Sequence, residues 1–311
     1  MTELVQTRHA YGEALLELGS ERPPVAVLDA DLYRSTQTVH FRDAFPERFF
    51  DIGISELDMV STAAGMAATG LIPYCNSFAM FISGICYMPV RLQIAYPGLP
   101  VKLIGSSAGL TQGPDGASHQ SLEDIAIMRA LPNMVVISPA DGVETRQATK
   151  AIADWPGPVY MRLGRYPVPC LFDEGYRFEV GKTTTLREGE EVAIFATGHM
   201  VSKAMDAAEI LTEDGIEARV VNVSTIKPLD EIAVQQGARD AILAVSIEEH
   251  SVIGGLGGAI AECLSGTACS PPLLRLGVRD EFGESGLADE LLARHRLIPE
   301  LIAEDVRESL S

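Results

Sequence analysis

One carboxyl group, Glu56, stands in the run Phe-Asp-Ile-Gly-Ile-Ser-Glu-Leu-Asp-Met that covers residues 50–59. The apolar stretch Phe49–Ile54 predicts a short buried strand. Ser55 is placed to cap a helix carrying Val60, Ala63, Ala64 and Ala67 on one face. Glu56 then falls in the first helical turn at the C-terminal end of a strand, which is where open α/β sheets bind ligands. An acid in a first turn also complements the helix dipole, so its position alone does not assign it a reaction. A second candidate segment, Gly105–Gln120, follows the predicted strand Val101–Gly105 and carries four glycines and one proline. That composition predicts a long irregular loop, and such loops in compact domains often carry function. Asp115 and His119 lie on it four residues apart, where both could face a polar substrate. The local alternative is a turn-forming Asp and a hydrogen-bonded His.

Two further motifs carry less. Gly105-Ser106-Ser107-Ala108-Gly109 fits the Gly-x-Ser-x-Gly pattern of hydrolases, but that pattern needs a helix directly after the serine, and no helical period starts before Ser121. Gly254-Gly255-Leu256-Gly257-Gly258 reads as a turn before a closely packed helix, because no Gly-Lys-Ser/Thr follows it. The six histidines are scattered and no Cys/His spacing fits zinc, so no metal ligand is assigned to this chain.

The elements that must position Glu56 and the Asp115–His119 loop alternate. Strand signals fall at Val25–Leu28, Phe49–Ile54, Leu71–Asn76, Val101–Gly105, Met134–Ser138 and Val159–Leu163. Helical signals fall at Thr7–Leu18, Ser55–Thr69, Ala79–Ala95, Leu122–Ala130 and Gly142–Ala153. This predicts a mostly parallel sheet covered by helices on both faces. A polar, irregular segment, about Pro167 to Glu191, marks a domain boundary. A second series follows, with strands at Val192–Ala196, Ala218–Val223, Ala241–Ile247 and Leu273–Leu276, helices at Val201–Glu213 and Gly257–Leu264, and a helical tail. The fold class expected is α/β, two consecutive open, mostly parallel domains, and 311 residues suffice for two cores.

The formal net charge is −19, from 24 basic and 43 acidic residues. That field disfavours nucleic acid and anionic membranes, so an anionic substrate needs a few local Arg side chains. The start Met-Thr-Glu-Leu-Val-Gln has no basic region followed by an apolar core, and no apolar run is long enough to span a bilayer. The five cysteines (75, 86, 170, 263 and 269) show no Cys-x-x-Cys spacing. A reducing cytoplasm is the expectation.

Taken in order, these segments resemble the C-terminal half of transketolase, in the form found as a separate subunit of split enzymes. The resemblance runs through Asp29-Ala30-Asp31-Leu32 with Ser35, Gly53-Ile54-Ser55-Glu56 with Met59, and Ser77-Phe78-Ala79-Met80-Phe81. It continues through Asp115-Gly116-Ala117-Ser118-His119-Gln120 and Leu131-Pro132-Asn133-Met134 with Pro139-Ala140-Asp141. In the second half it covers Ala196-Thr197-Gly198, Ile226-Lys227-Pro228-Leu229 and Phe282-Gly283-Glu284-Ser285-Gly286.

The resemblance implies a pyrimidine-binding domain, residues 1–175, and a transketolase C-terminal domain, residues 190–311. It implies thiamine diphosphate, with Mg2+ or Ca2+ ligated by another chain, and transfer of a two-carbon ketol unit from a ketose to an aldose. Glu56 takes the place of the glutamic acid that bonds the aminopyrimidine ring nitrogen and stabilises the imino tautomer. Phe78 and Phe81 match aromatic residues packed around that ring, spaced to share one face at the start of a helix, while the family's usual third aromatic falls at Gly84. Asp31 matches an acid near the cofactor. Asp115 and His119 match residues that hydrogen-bond the donor ketose, His119 with a catalytic part. Arg8, Ser35 and Arg165 match positions that hold a sugar phosphate, for which a planar Arg fork is suited. Ser107 stands where the family has a histidine that helps grip the phosphate.

The family's Gly-Asp-Gly and downstream Asn, which hold the metal and diphosphate, do not occur here. The resemblance therefore implies an obligate partner subunit carrying that motif, with the cofactor between the chains in an α2β2 assembly. Two other readings stay open. One is the β subunit of a 2-oxo acid dehydrogenase-type or acetoin-cleaving enzyme, or a deoxyxylulose-phosphate-synthase-like enzyme. The other is a non-catalytic regulatory subunit. The Asp115–His119 loop and Asp31-Leu-x-x-Ser35 favour transketolase, and the intact Glu56 disfavours a regulatory role.

Overall fold

The computed structural model describes residues 4–173, 175–267 and 270–311. Cys269 and the first three residues, on which expectations were stated, lie outside them. In chain order the strands are β1 (Leu4–Gln6), β2 (Val25–Asp29), β3 (Phe49–Asp51), β4 (Ile72–Phe78), β5 (Lys102–Ser106), β6 (Val135–Ile137), β7 (Val159–Arg162) and β8 (Pro167–Pro169). They continue as β9 (Thr184–Arg187), β10 (Val192–Ala196), β11 (Ala218–Asn222), β12 (Thr225–Lys227), β13 (Leu243–Ser251) and β14 (Leu273–Val278).

Among the described residues a seven-stranded sheet has the order β12-β6-β7-β5-β4-β2-β3, and a five-stranded sheet the order β14-β13-β10-β11-β9. Pairing is parallel except where β12 meets β6 and β9 meets β11. Successive side chains of the larger sheet point to opposite faces. Val25, Val27, Tyr74, Ile104, Val159 and Met161 pack with Tyr11, Leu15, Ala148 and Ile152 of the helices Thr7–Glu21 and Gly142–Ala153. Leu28, Cys75, Leu103, Val136 and Tyr160 face the other way. They share one core with Met59, Ile82 and Ile125, and with Phe195, Val221, Leu256 and Ile260 of the second domain. The connector is tied down by two buried acids. Asp141 accepts from the backbone N–H of Leu171 (2.6 Å) and Phe172 (2.9 Å), and Glu144 accepts from Tyr176 Oη (2.6 Å) and Asn222 Nδ2 (2.9 Å).

Several expectations are corrected. The strand at Phe49–Ile54 ends at Asp51 and is not buried, because it forms the outer edge of the sheet, and Ile54 is 86% exposed. Ser55 occupies the N-cap of the helix Glu56–Ala68, but its hydroxyl makes no cap bond, and its backbone N–H is spent on a tight turn to Gly53 O (2.7 Å). The helix expected over Ala79–Ala95 is broken into π turns at Phe81–Ile85 and Val90–Ala95, around Pro89, which has no N–H to give. Phe78 ends β4 rather than starting that helix. The Gly105–Gln120 loop contains a 3-10 segment, Leu110–Asp115. β9 begins upstream of residue 190, and β12, well inside the second half, belongs to the first sheet.

Candidate active site

The C-terminal ends of the parallel strands in the larger sheet gather the residues singled out above. Glu56 opens its helix 7% exposed, and Ser77 Oγ from the end of β4 donates to its Oε1 at 2.8 Å. Glu56 Oε2 makes no hydrogen bond among the described residues, so one carboxyl oxygen is fixed and the other is available. The ring centroids of Phe78 and Phe81 lie 5.9 Å apart, and His119 packs edge-on against both, at 5.9 and 5.2 Å. Ser118 Oγ meets His119 Nδ1 at 2.9 Å. A carboxyl oxygen left available and a cluster of half-buried rings, joined through the neighbours Ser77 and Phe78 at the end of β4, are groups that an aromatic heterocycle with a basic nitrogen can use.

A second group adjoins these. β1 pairs with β8, and Thr7 Oγ1 takes the N–H of Gly164 (2.9 Å), so Arg8 and Arg165 are drawn to one place. Arg8 donates to Gln6 Oε1 (2.8 Å) and to Ser35 O (3.1 Å), while Arg165 meets Asp115 Oδ2 at 3.3 Å. Gln112 Nε2 also donates to Asp115 Oδ2, at 2.6 Å. Burial, and then the charge of Arg165, lower the Arg8 guanidinium from its ordinary value. Two cations held so close are relieved by an anion placed between them.

Asp31 is exposed, in left-handed backbone (φ 59°), with its N–H on Asp51 Oδ1 (3.1 Å). Ser107 is 0% exposed and its Oγ has no hydrogen-bond partner among the described residues, while the neighbouring Ala108 N–H bonds Leu163 O (3.1 Å). A buried serine followed by no α-helix is also no hydrolase nucleophile. The glycine run at 254–258 is filled from within, since Glu248 accepts from the N–H groups of Leu256 (2.6 Å) and Gly257 (2.8 Å). No group of three or more His, Cys, Asp or Glu among the described residues could hold a metal ion. No described helix is long and apolar enough to cross a membrane.

Sequence reasoning missed the supporting residues. Ser77 lay within a quoted motif, and its register opposite the end of β5 was the available signal. Asp29 was quoted but given no role. It is fully buried and accepts from Leu32 N (2.6 Å), Thr36 Oγ1 (2.7 Å) and Thr38 Oγ1 (2.9 Å), which pins the turn carrying Asp31 and Ser35. Burial raises its carboxyl to about 6, against those three bonds. Folding therefore takes up a proton between about pH 4 and pH 6, and this contribution to stability falls as pH rises through that window. Relative to the wild type, Asp29→Asn is expected to gain stability from pH 4 to pH 6, by up to about 3 kcal/mol. Urea unfolding across that range measures it, and a constant difference would show that Asp29 does not titrate there.

Residues 3–169 match the model "Transketolase, pyrimidine binding domain" and residues 181–302 match "Transketolase, C-terminal domain". The chain belongs to the transketolase family, as the pyrimidine-binding and C-terminal domains, and that family implies thiamine diphosphate. It is 48% identical to a putative transketolase C-terminal section from Methanocaldococcus jannaschii, over 97% of this chain and 96% of that one. It is 44% identical to a 6-deoxy-6-sulfo-D-fructose transketolase subunit from Clostridium sp. strain MSTE9, over 97% and 93%. A solved split-gene transketolase, described as an inactive β4 tetramer, superimposes with a TM-score of 0.92 at 46% identity, covering 98% of both chains.

Proposed function

We propose that this chain is the pyrimidine-binding subunit of a two-chain transketolase that moves a two-carbon ketol unit from an anionic ketose to an aldose. The observation that carries this reading is Glu56, fixed by Ser77 at the end of β4, where Phe78 begins a cluster of rings with Phe81 and His119. Bound thiamine diphosphate supplies the electron sink for breaking and remaking a carbon–carbon bond beside a carbonyl. Glu56 Oε2 would hold a proton at the pyrimidine nitrogen of the bound cofactor, with Ser77 fixing the carboxyl plane; Phe78 and Phe81 would pack on its ring, and Asp31 would lie near its edge. Asp115 and His119 orient the donor's hydroxyls and carbonyl, His119 with a catalytic part. Arg8, Arg165 and the Ser35 turn take the terminal anion. A compact tetrahedral group of either phosphate or sulfonate type fits two guanidinium forks, and the 44% identical relative is named for a sulfonated ketose.

The rest of the cofactor site comes from a partner chain that holds the diphosphate with Mg2+ or Ca2+, in a cytoplasmic α2β2 assembly. Support comes from Ile54, Leu57, Ile85, Met88 and Leu92, each about half exposed or more, on packed segments next to Glu56. Such a patch marks an interaction surface. Without the partner, this face is open to copies of the same chain, and a relative has been solved as an inactive β4 tetramer. Calorimetry is the test. The chain alone is expected to show no tight uptake of thiamine diphosphate with Mg2+, and binding should emerge when the partner is added. Tight Mg2+-dependent binding by the chain alone would overturn the two-chain reading.

A further inference from the structure

The segment 109–120, which carries Asp115 and His119, is built as much into the second domain as into the first. Leu110 is fully buried in the second domain's core, with Ile247, Leu276, Leu291 and Leu292. Glu249, at 2% exposure near the end of β13, reaches the segment with both carboxyl oxygens. Oε1 accepts from the backbone N–H of Thr111, and Oε2 accepts from Thr111 Oγ1 at 3.2 Å. His199, on the next loop of the second domain, sets Nδ1 2.8 Å from Glu249 Oε2 and fixes the carboxylate from behind. Gly109 permits this approach, since a Cβ there would overlap Glu249 Cδ and its backbone is left-handed (φ 83°). At the far end of the segment, Gln120 Nε2 donates to Glu284 O of the second domain (2.8 Å) as well as to Gly113 O (3.1 Å). A Cβ on Gly283 would strike the Gln120 amide.

We propose that Glu249 is a positioning residue for the reaction: by gripping Thr111 it fixes the 109–120 segment, so that the second domain sets how Asp115 and His119 face the donor sugar. This rests on the site reading above, in which Asp115 and His119 meet the donor. Glu249 touches neither substrate nor cofactor. Between Thr111 and Asp115 lie one 3-10 turn and the Gln112–Asp115 bond, so a slackened grip reaches Asp115 within four residues. Glu56, Phe78 and Phe81 belong to other elements, the helix Glu56–Ala68, the end of β4 and the π turn Phe81–Ile85, and are left in place. The second domain thus has a defined task at a site built from the first.

The experiment has two readouts. In the full chain, amide hydrogen exchange is followed in the wild type and in Glu249→Leu. Exchange in residues 109–120 is expected to quicken at least about 5-fold, with the helix Glu56–Ala68 and β4 unchanged. In the complex reconstituted with the partner, Glu249→Leu is expected to raise KM for D-fructose 6-phosphate about 10-fold, with kcat and thiamine diphosphate affinity each within about 3-fold. Glu249→Gln is expected to recover most of that KM, because its amide oxygen still accepts from Thr111 N–H. If Glu249→Leu does not fold, Gln120→Met cuts the second tie and must give the same selective exchange. Unchanged exchange in 109–120, a rise spread evenly over both domains, or an unchanged donor KM would each overturn the proposal. If the wild-type complex transfers nothing from D-fructose 6-phosphate, from D-xylulose 5-phosphate or from the sulfonated analogue 6-deoxy-6-sulfo-D-fructose, the functional reading fails, and the exchange result still decides whether Glu249 holds the segment.

Discussion

In the reconstituted complex, Glu56→Ala is expected to lower kcat by about 10³-fold while leaving the fold intact. The size follows from the role. A positioned proton donor or acceptor is worth roughly 10²- to 10⁴-fold, and here one side chain alone contacts the proposed pyrimidine nitrogen. Stability should change little, because among the described residues Glu56 has a single side-chain partner, the hydroxyl of Ser77, and lies at the rim of the sheet. Glu56→Gln separates shape from proton donation. It keeps the acceptor for Ser77 and presents an amide to the ring, so the rate is expected to stay close to that of Glu56→Ala while cofactor affinity recovers. Steady-state transfer from D-fructose 6-phosphate to D-ribose 5-phosphate, with cofactor affinity measured alongside, decides it. Turnover within about 10-fold of wild type in Glu56→Ala would remove Glu56 from the mechanism.

The largest stability effect is expected at Arg162. Its guanidinium, 7% exposed, donates from Nε to Asp124 Oδ2 (2.9 Å) and from Nη2 to Ser121 O (3.1 Å) and Glu249 O (2.8 Å). Burial lowers its basicity, but the carboxylates of Asp124 and Glu249 outweigh burial, and the net shift is upward. Asp124 is fully buried, and its remaining bond comes from Tyr160 Oη at 2.7 Å. Arg162→Met therefore strands a buried carboxylate and takes a bond from two carbonyls where the domains meet, of which Ser121 O keeps the N–H of Gly109. A loss of about 3–5 kcal/mol is expected from urea unfolding, the usual cost of breaking a buried pair from one side. Adding Asp124→Leu should return part of it, because removing both charges is milder than removing one. A loss below about 1 kcal/mol would show that Asp124 finds another partner.

The alternation of strand and helix was legible because it is local. Val25–Asp29 and Val192–Ala196 are short, wholly buried runs, and their periodicity survives in any context. The position of Glu56 was legible for the same reason, since a strand, a tight turn and a helix lie within a dozen residues. The partners of Glu56 and Thr111 were not. Ser77 lies 21 residues from Glu56, and Glu249 lies 138 residues from Thr111. No periodic signal spans such gaps. The exposure of β3 was misread because an apolar run is the same on a sheet edge as in a sheet centre, and Ile54 and Leu57 lie exposed on the face proposed above for the partner chain. Ser107 was placed by motif alone, which carries no information on which way a left-handed residue turns its side chain. The short strands β1, β8, β9 and β12 have three or four residues each, and two prolines in β8 argue against any strand.

The crossing of β12 into the first sheet limits how this protein can be cut. A chimera joined within the connector at residues 170–183 would carry a foreign Thr225–Lys227 to lie against the native β6, where Thr225 must register with Ile137 and Lys227 with Val136. Lys227 also delivers its ammonium to Arg129 O at 2.9 Å. Modular exchange between relatives is therefore expected to succeed only with junctions beyond Lys227, or with β6 and β12 transplanted as a matched pair.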